Sequence, residues 1–164
     1  MGLRPLIDVL RARFLLEWNG LHGAAHWARV RSLGLRLAAG NGARADVVEL
    51  FSCLHDARRE DDLADPGHGP RAVELAHELR GSCFELDRSG FELLCVAIEH
   101  HSGGSRHDDV TVQTCWDADR LDLSRIGVRP KTRLLAERTG RERELLDLAW
   151  RRGQAWRAWK MPRS

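Results

Sequence analysis

Apolar side chains recur at intervals of three and four along most of this chain, the spacing that lines one face of an α-helix. Val30, Leu33, Leu37 and Ala38 predict a helix from about Gly23 to Ala39, stopped by Gly40-Asn41-Gly42. Val47, Val48, Leu50, Phe51 and Leu54 form a second stripe, which delivers His55 and Asp56 at its end. The polar stretch Arg58 to Gly69, with Pro66 and two glycines, predicts a loop. A third helix starts at His68 or Pro70 and carries Ala72, Val73, Leu75, Ala76 and Leu79 up to Gly81. Ser89 is a suitable N-cap for a fourth, through Phe91, Leu94, Cys95 and Ile98, which expires at His100-His101-Ser102-Gly103-Gly104. Asp108 or Asp109 caps a fifth, with Val112, Cys115, Trp116 and Asp119 on one face. After a break at Gly127 to Pro130, a final amphipathic helix runs from about Arg141 to Lys160. Val110 to Val112 is the only β-branched cluster, and it is too short for a strand. The expected class is all-α.

Length permits one domain with a proper core, here taken as residues 1–164. Hydrophobic residues at 43% and charged residues at 30% exclude a disordered chain. With 26 basic and 24 acidic residues, the net charge of +2 gives no electrostatic case for nucleic acid. No apolar run approaches the roughly 20 residues of a membrane span. Arg4, Asp8, Arg11 and Arg13 interrupt Met1 to Leu16 too often for a secretory signal. The cysteines Cys53, Cys83, Cys95 and Cys115 form no CxxC, so reduced thiols and a cytoplasmic location are expected.

Most of the eight histidines sit beside predicted helix ends, glycines or aspartates. His22 and His26 are four apart, one helical turn. His55-Asp56 follows the apolar stripe of Phe51 and Leu54, while Asp117 and Asp119 interrupt the apolar helix of Cys115, Trp116 and Leu121. Burying such charges without partners is costly, and a cation is one way to offset the cost. Mixed imidazole and carboxylate donors suit Mn, Fe, Ni, Co or Zn better than calcium. Walker and Rossmann glycine patterns are absent, Ser102-Gly103-Gly104-Ser105 being the nearest, and there is no GxSxG elbow.

The ordered set His26, His55-Asp56, Asp119 resembles the H…HD…D signature of the HD superfamily of metal-dependent phosphohydrolases. Its flanks are similar as well: His26-Trp27-Ala28-Arg29-Val30, Leu54-His55-Asp56 and Ala118-Asp119-Arg120-Leu121-Asp122, the likeness covering about Gly20 to Arg125. The resemblance implies an HD-like helical bundle in which His26, His55, Asp56 and Asp119 converge on a divalent ion (Mn, Fe, Ni, Co, Zn or Mg). Asp117 is the alternative to Asp119, and His22 to His26. It further implies that His68 and His101 complete a second metal site or contact phosphate, and that His22 orients a ligand or meets substrate. The implied reaction is hydrolysis of a phosphate ester of a nucleotide or small metabolite. The alternative is a non-catalytic metal-binding or ligand-sensing domain acting through a protein partner.

The forked guanidinium groups of Arg58 and Arg59 suit phosphate oxygens, with Arg71 and Arg120 as further candidates. Asp56 is the expected proton acceptor, and Glu60 or Asp61 an acid or base in the loop. Some family members carry an acidic residue three positions after the His-Asp pair, where this chain has Arg59. Trp27 and Trp116 are expected to wall the cleft, with stacking on a nucleobase as the sharper reading. Asp122, Glu74 and Glu78 read as helix-surface charges. The tail from Arg151 to Lys160 mixes arginine with tryptophan and is expected to pack back on the domain, a homo-oligomer contact being the alternative.

Overall fold

A computed structural model describes residues 2–160 of the chain. Its helices are α1 (Arg4–Arg13), α2 (Ala24–Asn41), α3 (Ala45–Leu54), α4 (His68–Leu79), α5 (Arg88–His100), α6 (Val110–Leu121), α7 (Glu137–Arg141) and α8 (Arg143–Lys160), with 3-10 turns at Asp122–Ile126 and Thr132–Leu134. The class is all-α. No strand occurs among the described residues, only an isolated bridge between Arg80 and Phe84, and Val110 to Val112 open α6.

Predicted and observed helices agree closely, and the differences have local causes. Asp87 rather than Ser89 caps α5, because its carboxylate accepts the Gly90 N–H at 2.7 Å while Ser89 lies one residue inside the helix. Asp109 caps α6 through the N–H groups of Thr111 and Val112. The expected final helix is α8, which starts two residues later than its spacing suggests, and α1 and α7 are helices that the spacing did not predict.

The core gathers Leu33, Phe51, Leu54, Leu94, Ile98 and Leu121, all essentially free of solvent. α2 packs on both α3 and α6, α3 on α5, and α4 on α5. Two close approaches decide where the polar ends of these helices meet. A Cβ at Gly34 of α2 would lie 2.5 Å from Val48 Cγ1 of α3 and 3.2 Å from Ala118 Cβ of α6. A Cβ at Gly69 of α4 would lie 2.7 Å from the Glu99 carbonyl oxygen of α5. Gly34→Leu is therefore expected to cost about 1–3 kcal/mol by overpacking, read as a lower denaturant midpoint. An unchanged midpoint would mean the three helices have slack at this crossing.

The tail packs back largely as expected. Trp156 is buried under Arg29, whose guanidinium lies 5.1 Å from the ring centroid, and Arg129 covers Trp150 at 4.2 Å. Trp159 remains 71% exposed. No helix among the described residues is long and apolar enough to cross a membrane. All four cysteines are free, Cys53 and Cys115 buried and Cys83 and Cys95 half-buried.

Candidate metal centre

Three helices, α2, α3 and α6, send histidine or aspartate to one point. His26 projects from the first turn of α2, His55 and Asp56 follow the end of α3, and Asp119 comes from the last turn of α6. His26 Nε2 lies 3.0 Å from His55 Nε2, 3.5 Å from Asp56 Oδ2 and 3.4 Å from Asp119 Oδ1. His55 Nε2 lies 3.4 Å from Asp56 Oδ2 and 3.7 Å from Asp119 Oδ1. On the other side of the same carboxylate, His68 at the start of α4 and His101 just after α5 bring their Nε2 atoms to 2.9 Å from each other, each 3.5 Å from Asp56 Oδ1. Asp56 thus presents one oxygen to each of two imidazole pairs.

The outer nitrogens show how this arrangement could accommodate a proton or a cation. His55 Nδ1 meets the Phe51 carbonyl at 3.1 Å, His101 Nδ1 the Ile98 carbonyl at 2.7 Å, and His68 Nδ1 the Asp65 carbonyl. A carbonyl only accepts, so each of these Nδ1 atoms carries a proton. His26 Nδ1 donates in the same sense to Asp122 Oδ2 at 2.7 Å. In the neutral rings every inward Nε2 then carries a lone pair, and two such lone pairs at about 3 Å repel unless a proton or metal ion lies between them. The ligand atoms of His26, His55 and Asp119, and of His55, Asp56 and His101, lie within 4.8 Å of one another. Nitrogen and oxygen donors in this mixture, with their outer nitrogens already satisfied, could hold a metal ion.

Electrostatics agree with the geometry. Burial and the Arg125 charge depress the His26 ring, but the carboxylates of Asp119, Asp122 and Asp56 outweigh them and raise its pKa from 6.5 to about 9. Burial lowers His55 and His68. Burial also opposes protonation of His101, yet the hydrogen bond and charge of Asp56 carry it upward. Despite their own burial, Asp56 and Asp119 sit below the usual carboxylate range because imidazoles surround them. Burial and the Arg59 and Arg125 charges pull His22 down to about 4, against the pull of Asp56 and Asp62.

The remaining predicted residues fall into two groups. Arg59 donates from Nε to Asp56 Oδ1 at 2.9 Å, and His22 donates from Nδ1 to Asp62 Oδ1 at 2.8 Å, with its ring centroid 6.4 Å from that of His26. Both line a cavity of about 620 Å³ that opens onto Asp56, Asp119 and His101. Arg120 lines it too, but its guanidinium is held by the carbonyls of Leu134, Gly103 and Ser105 and lies over Trp116.

The others stand away from it. Asp117 turns to Gln113 Nε2 and the Ala136 N–H, and burial raises its pKa. Glu60 is exposed 3.4 Å from Arg71, so it is not placed to exchange protons at the centre. Arg71 is tied to Asp65 at 2.6 Å and to the Arg58 carbonyl, and neither Arg58 nor Arg71 lines the cavity. Trp27 is buried against Phe14 and Trp18, and Trp116 donates Nε1 to the Ala97 carbonyl; neither walls the cleft.

Sequence reasoning missed Asp122, Arg29, Arg125 and Asp62. Asp122 is buried, not a surface charge: it accepts His26 Nδ1 and, at 2.6 and 3.0 Å, Nε and Nη2 of Arg29. The available signal was spacing, since Asp119 and Asp122, like His26 and Arg29, are three apart and share a helix face. Asp62 sits in the irregular loop, where no periodicity marks it. Protein-family models, curated proteins and solved structures return no match to this chain.

Proposed function

We propose that this chain is a metal-dependent phosphohydrolase of the HD type, acting on a phosphate ester of a small phosphorylated metabolite or nucleotide. The observation that carries the reading is Asp56 set between two pairs of inward imidazole nitrogens, at the floor of a cavity of a size that suits a small ligand. His26, His55, Asp56 and Asp119 would hold one divalent ion, and Asp56, His68 and His101 a second. When bound, such ions lower the pKa of water and neutralise phosphoryl charge. Asp122 fixes the proton of His26 on Nδ1 and keeps Nε2 a donor to metal. Arg59, beside Asp56, is placed to receive a phosphoryl oxygen. With its pKa pulled down to about 4 and Nδ1 held by Asp62, His22 is neutral at pH 7 and its Nε2 is left to accept a hydrogen bond in the cavity.

Metal analysis of the purified protein, followed by a panel of nucleotides, phosphometabolites and an aryl phosphate with Mn, Co or Ni, tests the reading. About two ions per chain and turnover of at least one ester are expected. A chain that binds no transition metal would sink it. Metal without turnover would favour the partner-dependent sensing role instead.

Metal affinity should also depend on pH in a defined direction. His26 with a pKa of about 9 is protonated at neutral pH before metal arrives, and a ligand must be neutral, so binding expels that proton. Apparent affinity is therefore expected to rise about tenfold per pH unit for each proton displaced between pH 6 and 8. Calorimetry in buffers of different ionisation enthalpy counts the released protons, and a count of zero would contradict the assignment of His26.

A further inference from the structure

We infer that the cavity above the metal centre is built for a phosphomonoester with one phosphoryl group and a compact apolar organic group, a substrate class that rests on the hydrolase reading. The polar side of the cavity is small and already largely committed. Arg59 uses Nε on Asp56 and Nη1 on the Asp61 carbonyl, which leaves Nη2 without a protein partner among the described residues. Arg125 uses Nε on the Leu21 carbonyl and Nη1 on the Asp122 carbonyl, which leaves its Nη2 in the same state. Both residues line the cavity together with His22 and Asp56, so two guanidinium nitrogens without protein partners are available to a ligand there. That provision matches one phosphoryl group. Arg120, the third cation of the cavity, is spent on three backbone carbonyls and has no fork to offer a second phosphate.

The apolar part of the lining is wholly aliphatic. Leu21, Leu63, Leu123, Ile126 and Leu134 line the cavity, and no tryptophan or phenylalanine does. A nucleobase finds no aromatic face to stack on, and a sugar finds few side-chain partners for its hydroxyls on these walls. Leu63 and Ile126 are exposed to 90% and 44%, large apolar side chains left open at a ligand cavity. An apolar group entering past them would cover both, which gives their exposure a use.

The test is calorimetric titration of the manganese-loaded full chain with hexylphosphonate, inorganic phosphate, adenosine 5′-monophosphate, glucose 6-phosphate and methylenebisphosphonate. Hexylphosphonate is expected to bind at least about tenfold more tightly than each of the others. Leu63→Asn and Ile126→Asn, both at exposed positions, are each expected to cut the ratio of hexylphosphonate to phosphate affinity by about tenfold. Equal or tighter binding of the nucleotide, the sugar phosphate or the bisphosphonate would overturn the inference, as would a ratio that neither variant moves or no phosphonate binding at all. Turnover separates this result from the reading beneath it. Tight hexylphosphonate binding without hydrolysis of hexyl phosphate would defeat the hydrolase and keep the ligand class. Preferential hydrolysis of nucleotides would do the reverse.

Discussion

Asp56→Ala is expected to empty both metal positions and to lower turnover by on the order of 10³-fold, about 4 kcal/mol of transition-state stabilisation. The size of the effect follows from the shared carboxylate. Oδ2 faces His26 and His55, while Oδ1 faces His68 and His101, so one substitution removes an anionic donor from both sets. It also strips Arg59 of its carboxylate partner. Metal content by mass spectrometry and kcat/KM on the best ester of the panel are the readouts, with far-UV circular dichroism to establish that the helices persist. A folded variant with two ions per chain and undiminished turnover would remove Asp56 from the centre. Loss of one ion alone would show that the two positions are filled independently.

Asp122 is expected to matter nearly as much without touching the metal. Its carboxylate gathers His26 Nδ1, both donating nitrogens of Arg29 and, at 3.7 Å, Nη1 of Arg125. Asp122→Ala leaves those groups facing an apolar methyl and is expected to cost about 3–5 kcal/mol of stability, since breaking a buried pair strands its partners. Asp122→Asn keeps the volume but loses the charge that holds the His26 proton outward, and metal affinity is expected to fall about 10- to 100-fold. Asp117→Asn is the control. Burial already favours the neutral form of Asp117, which bonds Gln113 and the Ala136 backbone rather than any histidine of the centre, so its metal affinity is expected to stay at the wild-type value. Equal losses in Asp117→Asn and Asp122→Asn would mean that both act only through general stability.

How much of this was legible beforehand differs by residue. The pairing of His55 and Asp56 at the end of an apolar stripe was readable, because helix periodicity brings the stripe to the core and carries the next two residues in with it. Asp119 and Asp117 were not separable on composition, since both lie in the same apolar helix. They lie about 200° apart around α6, and the packing of that helix turns Asp119 to His26 and Asp117 to the Ala136 backbone. Asp122 read as a surface charge because the helical pattern weakens at the 3-10 turn Asp122–Ile126, where it actually faces inward. Trp27 directly follows His26, and neighbours along a helix point about 100° apart, so it turns away from the cavity. Trp116 shares a face with Asp119, three positions on, but its ring is buried and donates to the Ala97 carbonyl instead.

The chain on its own determined the helices, their order and the residue types available for metal binding, because these depend on local spacing, capping and the cost of burying charge. Only the tertiary structure decided that Asp56 is shared between two histidine pairs, that each Nδ1 is tied down so that Nε2 turns inward, and that the apolar side chains lining the cavity are aliphatic. Those outcomes rest on where α2, α3, α4, α5 and α6 cross. Crossing positions depend on contacts such as Gly34 against Val48 and Gly69 against Glu99, between residues 14 to 30 positions apart, and no local pattern encodes them.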